Sequence, residues 1–206
     1  MKQLIVDYLP FEIKPEQINE SMKENDGKLI VHGVLQRAEA KNQNGRVYPR
    51  EVLFREAKKY HKEFIKQSRA MGELDHPESS VVNLSNVSHN IRDMHWEGDN
   101  LLGEVEVLST PSGNILRELF KSGIKLGISS RGMGSVETVT EDNGGQSQEV
   151  QPDFELIAFD FVSNPSTHGA FMYPMNESVD KTPVVGRTCG EYCKVESIIN
   201  DIMRGS

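Results

Sequence analysis

Cysteine is nearly absent: the chain has 206 residues and only two cysteines, Cys189 and Cys193, both close to its C-terminal end. A disulfide framework and a Cys-rich zinc site are therefore excluded as supports of the core. Long hydrophobic runs are missing too, so no segment reads as a bilayer-spanning helix and no membrane partner is expected. The opening MKQLIVDYLPF has a short apolar centre but neither a strongly basic start nor a small-residue cleavage site, which argues against a secretory signal and for a location inside a cell. Positive charge is in deficit, with 23 Lys and Arg against 31 Asp and Glu and a net charge of -8. Nonspecific nucleic-acid binding rests on neutralising phosphates with Lys and Arg, so nucleic acid is not an expected partner. Two catalytic signatures are lacking as well: the paired histidines of an HExxH metal site and the GxSxG elbow of α/β-hydrolases. No metal and no cofactor is expected.

What is present is an ordinary globular composition, 36% hydrophobic and 26% charged, on a chain whose length suits one domain with extensions. Residues 1–28 join an apolar start to the polar stretch KPEQINESMKENDGK and read as an arm leading into a domain over 29–175. In that domain LIVHGVLQRAEA alternates as a strand does, KNQNGRVYP is rich in turn residues, and Leu53, Ala57, Tyr60 and Phe64 follow Pro49 at helical spacing. VSHNIRDMHW and LLGEVEVLS flank the turn cluster Glu97, Gly98, Asp99 and Asn100 and predict a hairpin. In TPSGNILRELFKSG, Thr110 suits a cap, Pro111 the first turn and Gly123 the end of a short amphipathic helix. LGISSRGMGSVETVT and DFELIAFDFVS predict two more strands around EDNGGQSQEV, which reads as a loop. Residues 176–206 read as a flexible tail ending in an amphipathic segment, VESIINDIMR. The sum predicts an α+β domain, a mainly antiparallel sheet or small barrel of about five to six strands with two packed helices.

Three segments carry reactive side chains that a purely structural sequence does not need: GELDHP with His76, GISSRG with Ser129 and Ser130, and AFDFVSNPS with Asp160. Together they supply a nucleophile, a base and an acid to orient the base, the minimum set for acyl transfer by a serine enzyme. On the strand LGISSRG, Leu126, Ile128 and Ser130 share one face and Gly127, Ser129 and Arg131 the other. With the apolar face toward the core, Ser129 lies on an open side beside Gly127, and the Ser130 hydroxyl needs a partner inside. Ser129 is the better nucleophile on that parity. The glycines at 127, 132 and 134 suggest close passage of another backbone, such as a substrate strand. The backbone N–H groups of Ser130 and Arg131 are natural donors to the oxyanion. The Arg131 side chain either holds a water or an acidic substrate group or pairs with a carboxylate at the surface. Pro77 stiffens the exit from His76, whose imidazole suits a general base. Asp160 interrupts an apolar alternation and needs a partner that an imidazolium would satisfy; Asp75 or Glu73 could orient His76 instead. Of the remaining histidines, His32, His61, His89, His95 and His168, only His89 and His95 suggest placement on the same sheet.

GELDHP, GISSRG and FDFVSNPS, in this order and spacing, together with the early AEAKNQNGRVYPREVL, resemble the prohead core serine proteases of T-even-type tailed bacteriophages, relatives in fold of the herpesvirus assemblins. The resemblance covers about Leu29 to Pro174. It implies a serine endopeptidase inside the procapsid, within the host cell cytoplasm, that cuts scaffold and major capsid precursors, commonly after Glu, and that self-associates in the procapsid core. His76 and Ser129 fall on that family's catalytic positions. The third member is less uniform: assemblins use a second histidine, whereas Asp160 matches the carboxylate of related phage proteases. The resemblance further implies self-processing, for which Glu196 followed by Ser197 is a candidate site; a separate expectation is that the apolar N-terminal arm around Leu4 to Phe11 covers the cleft until activation. The competing expectation is a catalytically inactive procapsid scaffold or core component with the same fold.

Overall fold

The hairpin predicted around Gly98 forms the centre of the larger of two sheets that carry the molecule. A computed structural model describes residues 3–11, 15–77, 79–124, 126–140, 144–163 and 172–174. Their order is β1 (Gln3–Phe11), α1 (Pro15–Glu24), β2 (Leu29–Arg37), β3 (Arg46–Val47), α2 (Arg50–Glu63), a 3₁₀ turn (Ile65–Gln67), β4 (Met71–Glu73), β5 (Val87–Glu97) and β6 (Asn100–Val107). There follow α3 (Pro111–Lys121), β7 (Leu126–Gly134), β8 (Val136–Thr140), β9 (Gln146–Val150), β10 (Glu155–Val162) and β11 (Met172–Pro174). Three sheets result, ordered β11-β2-β6-β5-β4, β1-β7-β10 and β3-β9-β8. Every pairing is antiparallel except β3 with β9. The fold is α+β and mainly antiparallel, as expected, but richer than expected: among the described residues it has three helices and eleven strands.

The five-stranded sheet and the β1-β7-β10 sheet meet where Leu74 bridges Phe161, and again where Gln36 of β2 donates to Ser130 of β7 at 2.7 Å. Between them lies one apolar core built from both sheets and the helices, with Leu53, Tyr60, Leu116, Phe120, Phe159 and Phe161 among its members. α3 starts and stops as predicted: the Thr110 side chain accepts from Gly113 N–H at 3.1 Å, and Gly123 follows with φ of +71°.

Three differences have physical causes. The first 28 residues, expected as an arm outside the core, supply β1 and α1, with Ile5 and Ile18 at 0% exposure in the core. LGISSRGMGSVETVT, expected as one strand, breaks at Ser135, whose N–H and hydroxyl both donate to Asp153 Oδ1 at 2.9 Å. The second half of EDNGGQSQEV, expected as loop, is β9, a mostly polar strand held by β3 and β8 on either side, with Val150 at its end in the core. The tail over 176–206, with VESIINDIMR, Glu196 and both cysteines, lies outside the described residues.

Candidate active site

A middle strand is held on both edges by its neighbours and on both faces by packing, and β7 is such a strand. It is buried from Leu126 to Gly132. Ser129 and Arg131 do share the face opposite Ile128 and Ser130, but that face is covered as well: Ser129 and Arg131 are each 0% exposed. The open side expected for Ser129 is thus corrected. The segment following β4 lies over it. Gly132 and Gly134 have an internal explanation, because a Cβ on Gly132 would sit 2.4 Å from the Phe154 ring and 2.6 Å from Glu155 O, and one on Gly134 2.9 Å from Phe154 Cα. The close backbone passage is made by this chain and not by a substrate.

His76 is aimed by its local backbone. Asp75 N–H donates to Phe161 O at 2.7 Å, which ties the segment to β10. Asp75 itself has φ of +70°, a left-handed conformation that Asp tolerates better than most residues, and its Oδ1 accepts His76 N–H at 2.9 Å. Pro77 then fixes the exit. The ring ends with Nε2 2.6 Å from Ser129 Oγ and Nδ1 3.0 Å from Asp160 Oδ2. A carboxylate only accepts, so the proton sits on Nδ1 and Nε2 is free to accept from the Ser129 hydroxyl.

Asp160 stands opposite Ser129 in the β10–β7 register and is 0% exposed. Besides His76, its oxygens accept from Arg131 Nε at 2.8 Å, Arg131 Nη2 at 3.2 Å and Glu73 N–H at 3.0 Å. Burial alone would push this carboxyl up, but the hydrogen bonds from His76, Arg131 and the Glu73 backbone outweigh it and hold Asp160 below the ordinary carboxylate value. Arg131 is neither a surface residue nor free for a ligand: it also donates from Nη2 to Glu73 Oε1 at 3.1 Å and from Nη1 to Ser79 O at 2.6 Å.

Ser130 faces inward and finds the partners its position demands. Its Oγ accepts from Gln36 Nε2 and bonds to the Tyr48 hydroxyl, which in turn donates to Asp7 Oδ2. Burial pushes the Asp7 carboxyl up against the opposing pull of Arg46, Tyr48 and Asn44. As middle-strand residues, Ser130 and Arg131 direct their N–H groups in the sheet plane toward β1 or β10, with Asp7 and Phe159 opposite Ser130 and Val6 and Ala158 opposite Arg131. An oxyanion could use them only where that pairing opens. Among the described residues no group of three or more His, Cys, Asp and Glu is arranged to hold a metal ion.

A model of the prohead core protein serine protease family matches residues 5–180 of this sequence. The chain belongs to that family. It is 31% identical to the prohead core protein protease of Enterobacteria phage T4 over 171 residues, 78% of this chain and 79% of the relative. The solved bacteriophage T4 capsid assembly protease matches with a TM-score of 0.66 at 25% identity, covering 80% of this chain and 99% of that one.

In this member of the prohead core protease family, the residues singled out in the sequence are brought together, while the other histidines are not. His89 is buried between Ser88 Oγ and Phe159 O, and burial pulls its pKa down to about 4. His61 pairs with Asp93 and His95 with Glu97; His168 lies outside the described residues. Glu73, weighed only as another orienter of His76, instead binds Arg131, and Asp7, Gln36 and Tyr48 were not singled out at all. Asp7 carried the signal that marked Asp160, a carboxylate interrupting an apolar strand.

Proposed function

We propose that this family member is an active serine endopeptidase with Ser129 as nucleophile, His76 as general base and Asp160 as the acid that orients the base. One observation carries the reading: hydroxyl, imidazole and buried carboxylate form a continuous hydrogen-bonded line with links of 2.6 Å and 3.0 Å. In the reaction the Ser129 proton passes to His76 Nε2 as Oγ bonds to the scissile carbonyl carbon. The imidazolium, held by Asp160, returns that proton to the leaving amine, and a water molecule then repeats the sequence on the acyl-enzyme. The backbone N–H groups of Ser130 and Arg131 are the proposed oxyanion donors, in a form where the strand pairing beside them has opened.

The substrates proposed are scaffold and major capsid precursor proteins, cut in the procapsid interior within the host cell cytoplasm by a self-associated enzyme. The names of the two relatives, a prohead core protease and a capsid assembly protease, support that setting. Cleavage after Glu follows from the family resemblance; because Arg131 is committed to two carboxylates, the group that reads the Glu side chain lies elsewhere. Self-cleavage after Glu196 is tested by mass spectrometry of the purified protein, where a tail that is never shortened rules it out.

An inactive scaffold component draws on the complete burial of Ser129. Two variants decide between the readings on a Glu-containing peptide. Ser129→Ala is expected to abolish cleavage. Ser130→Ala is expected to retain it while losing about 1–3 kcal/mol of stability, because Gln36 and Tyr48 lose a buried partner. Wild-type protein that leaves the peptide intact, or a Ser129→Ala protein that cuts as fast as wild type, removes the enzymatic reading.

A further inference from the structure

The charges around Asp160 pose a problem for its role with His76. Its carboxylate already faces a guanidinium at two points, Arg131 Nε at 2.8 Å and Nη2 at 3.2 Å. A carboxylate paired with an arginine gives an adjacent imidazolium less net attraction, because the guanidinium charge acts on the ring against that of the carboxylate. Glu73 changes the sum. Its Oε1 accepts from Arg131 Nη2 at 3.1 Å, and both side chains are 0% exposed. Two carboxylates against one guanidinium leave one net negative charge in a cluster without solvent contact. Once His76 holds the serine proton the cluster is neutral, so the balanced state is the one that arises during the reaction and not the resting one.

We propose that Glu73 is a positioning residue of the catalytic site: by sharing the Arg131 guanidinium with Asp160, it keeps one negative charge directed at the imidazolium that forms on His76. The inference rests on the triad reading above and adds a residue to it. Apart from Arg131, the Glu73 carboxylate accepts from the Asn83 backbone N–H on Oε1, an uncharged donor, and its Oε2 makes no hydrogen bond among the described residues. The same pair also staples the stretch after His76, because Asn83 N–H donates to Glu73 Oε1 at 3.0 Å and Arg131 Nη1 to Ser79 O at 2.6 Å. The other titratable groups around this cluster do not replace it. Asp75, on the segment of His76 itself, is exposed and accepts that residue's N–H. Tyr60 of α2, kept protonated by burial, and His89 of β5, pulled down to about 4 by burial, are both uncharged near neutral pH.

The deciding comparison is Glu73→Gln against Glu73→Asp, read in kcat, KM and the acid limb of kcat/KM. Gln has the shape of Glu and keeps an oxygen for Arg131 and Asn83; Asp is shorter and keeps the charge. Action by charge predicts that Glu73→Gln loses about tenfold in kcat at unchanged KM, with the acid limb displaced about one pH unit downward because the imidazolium has lost a stabilising neighbour. Glu73→Asp then keeps the wild-type limb. A merely structural Glu73 predicts the reverse ranking, with Gln near wild type and Asp impaired; that ranking, or one limb common to all three proteins, overturns the proposal. If Glu73→Gln does not fold, Glu73→Asp decides alone: a kcat within about tenfold of wild type with an unmoved limb supports the role, and a larger loss overturns it. Ser129→Ala separates the two levels. Cleavage by that variant sinks the triad itself, whereas an inactive Ser129→Ala beside the reversed Glu73 ranking sinks only the role of Glu73.

Discussion

Asp75 holds φ at +70°, a conformation that costs most L residues about 1–2 kcal/mol, and it immediately precedes the imidazole proposed as base. Its side chain accepts the N–H of that same His76. Asp75→Asn, which tolerates the dihedral and retains an acceptor, is expected to match wild type. Asp75→Ala is expected to lose about 1 kcal/mol in urea unfolding together with part of kcat. Equal stability of the two variants would show that the turn is not under strain. Asp160 is the sterner case, because an amide keeps one acceptor oxygen where two are needed and turns an NH2 either toward Arg131 Nη2 and Glu73 N–H or toward Arg131 Nε and His76 Nδ1. Asp160→Asn is expected to reduce kcat by a factor on the order of 10³ to 10⁴ with KM little changed. Its pH signature follows from the depressed carboxyl: the native state favours the ionised form, so stability is present above the ordinary carboxylate range and is lost as pH falls through the lower folded value.

β5 and β10 belong to different sheets and are joined by His89, whose Nε2 donates to Phe159 O at 2.9 Å while Ser88 Oγ donates to its Nδ1 at 2.8 Å. Burial brings its pKa to about 4, below the ordinary histidine value of 6.5, so between these values the unfolded chain binds a proton that the folded one refuses. Stability therefore falls as pH drops below 6.5, by about 2 kcal/mol from this residue between pH 7.5 and pH 5. Urea unfolding at the two pH values, with His89→Gln as the flattened control, checks this; a slope shared by both proteins removes His89 as its source. At this scale some elements were legible in the sequence and others were not. The β5–β6 hairpin and α3 are written in local chemistry, a turn cluster at Gly98 and a cap at Thr110, and form as expected. α1 and β9 are not, since among the described residues of α1 only Ile18 and Ser21 are buried, and β9, mostly polar apart from Val150, is held largely by pairing to distant strands. The site divides the same way. His76, Ser129 and Asp160 stood out as polar residues in positions that local structure did not require, whereas the weight of Glu73 depends on a buried Arg131 that comes from a strand 58 residues away.

For the whole molecule, the integration of the first residues bears on the strand that carries Ser129. β1 runs along β7 from Gln3 opposite Gly134 to Phe11 opposite Leu126, with Tyr8 opposite Ser129. An arm that merely covered a cleft would leave intact protein behind when removed. β1 is more deeply committed: Ile5 is 0% exposed, and Asp7 takes hydrogen bonds from Asn44, Arg46 and Tyr48. Burying Ile5 alone contributes about 1.5–3 kcal/mol, and its loss would come with an unpaired edge on the strand that holds the nucleophile. Removing residues 1–13 is therefore expected to lower the thermal midpoint or yield insoluble protein, and to abolish cleavage of the Glu-containing peptide. A truncated protein that stays folded and cuts faster than the intact chain would restore the covering role read from the sequence, and would mean that β1 can leave β7 without taking the Ser129–His76 contact with it.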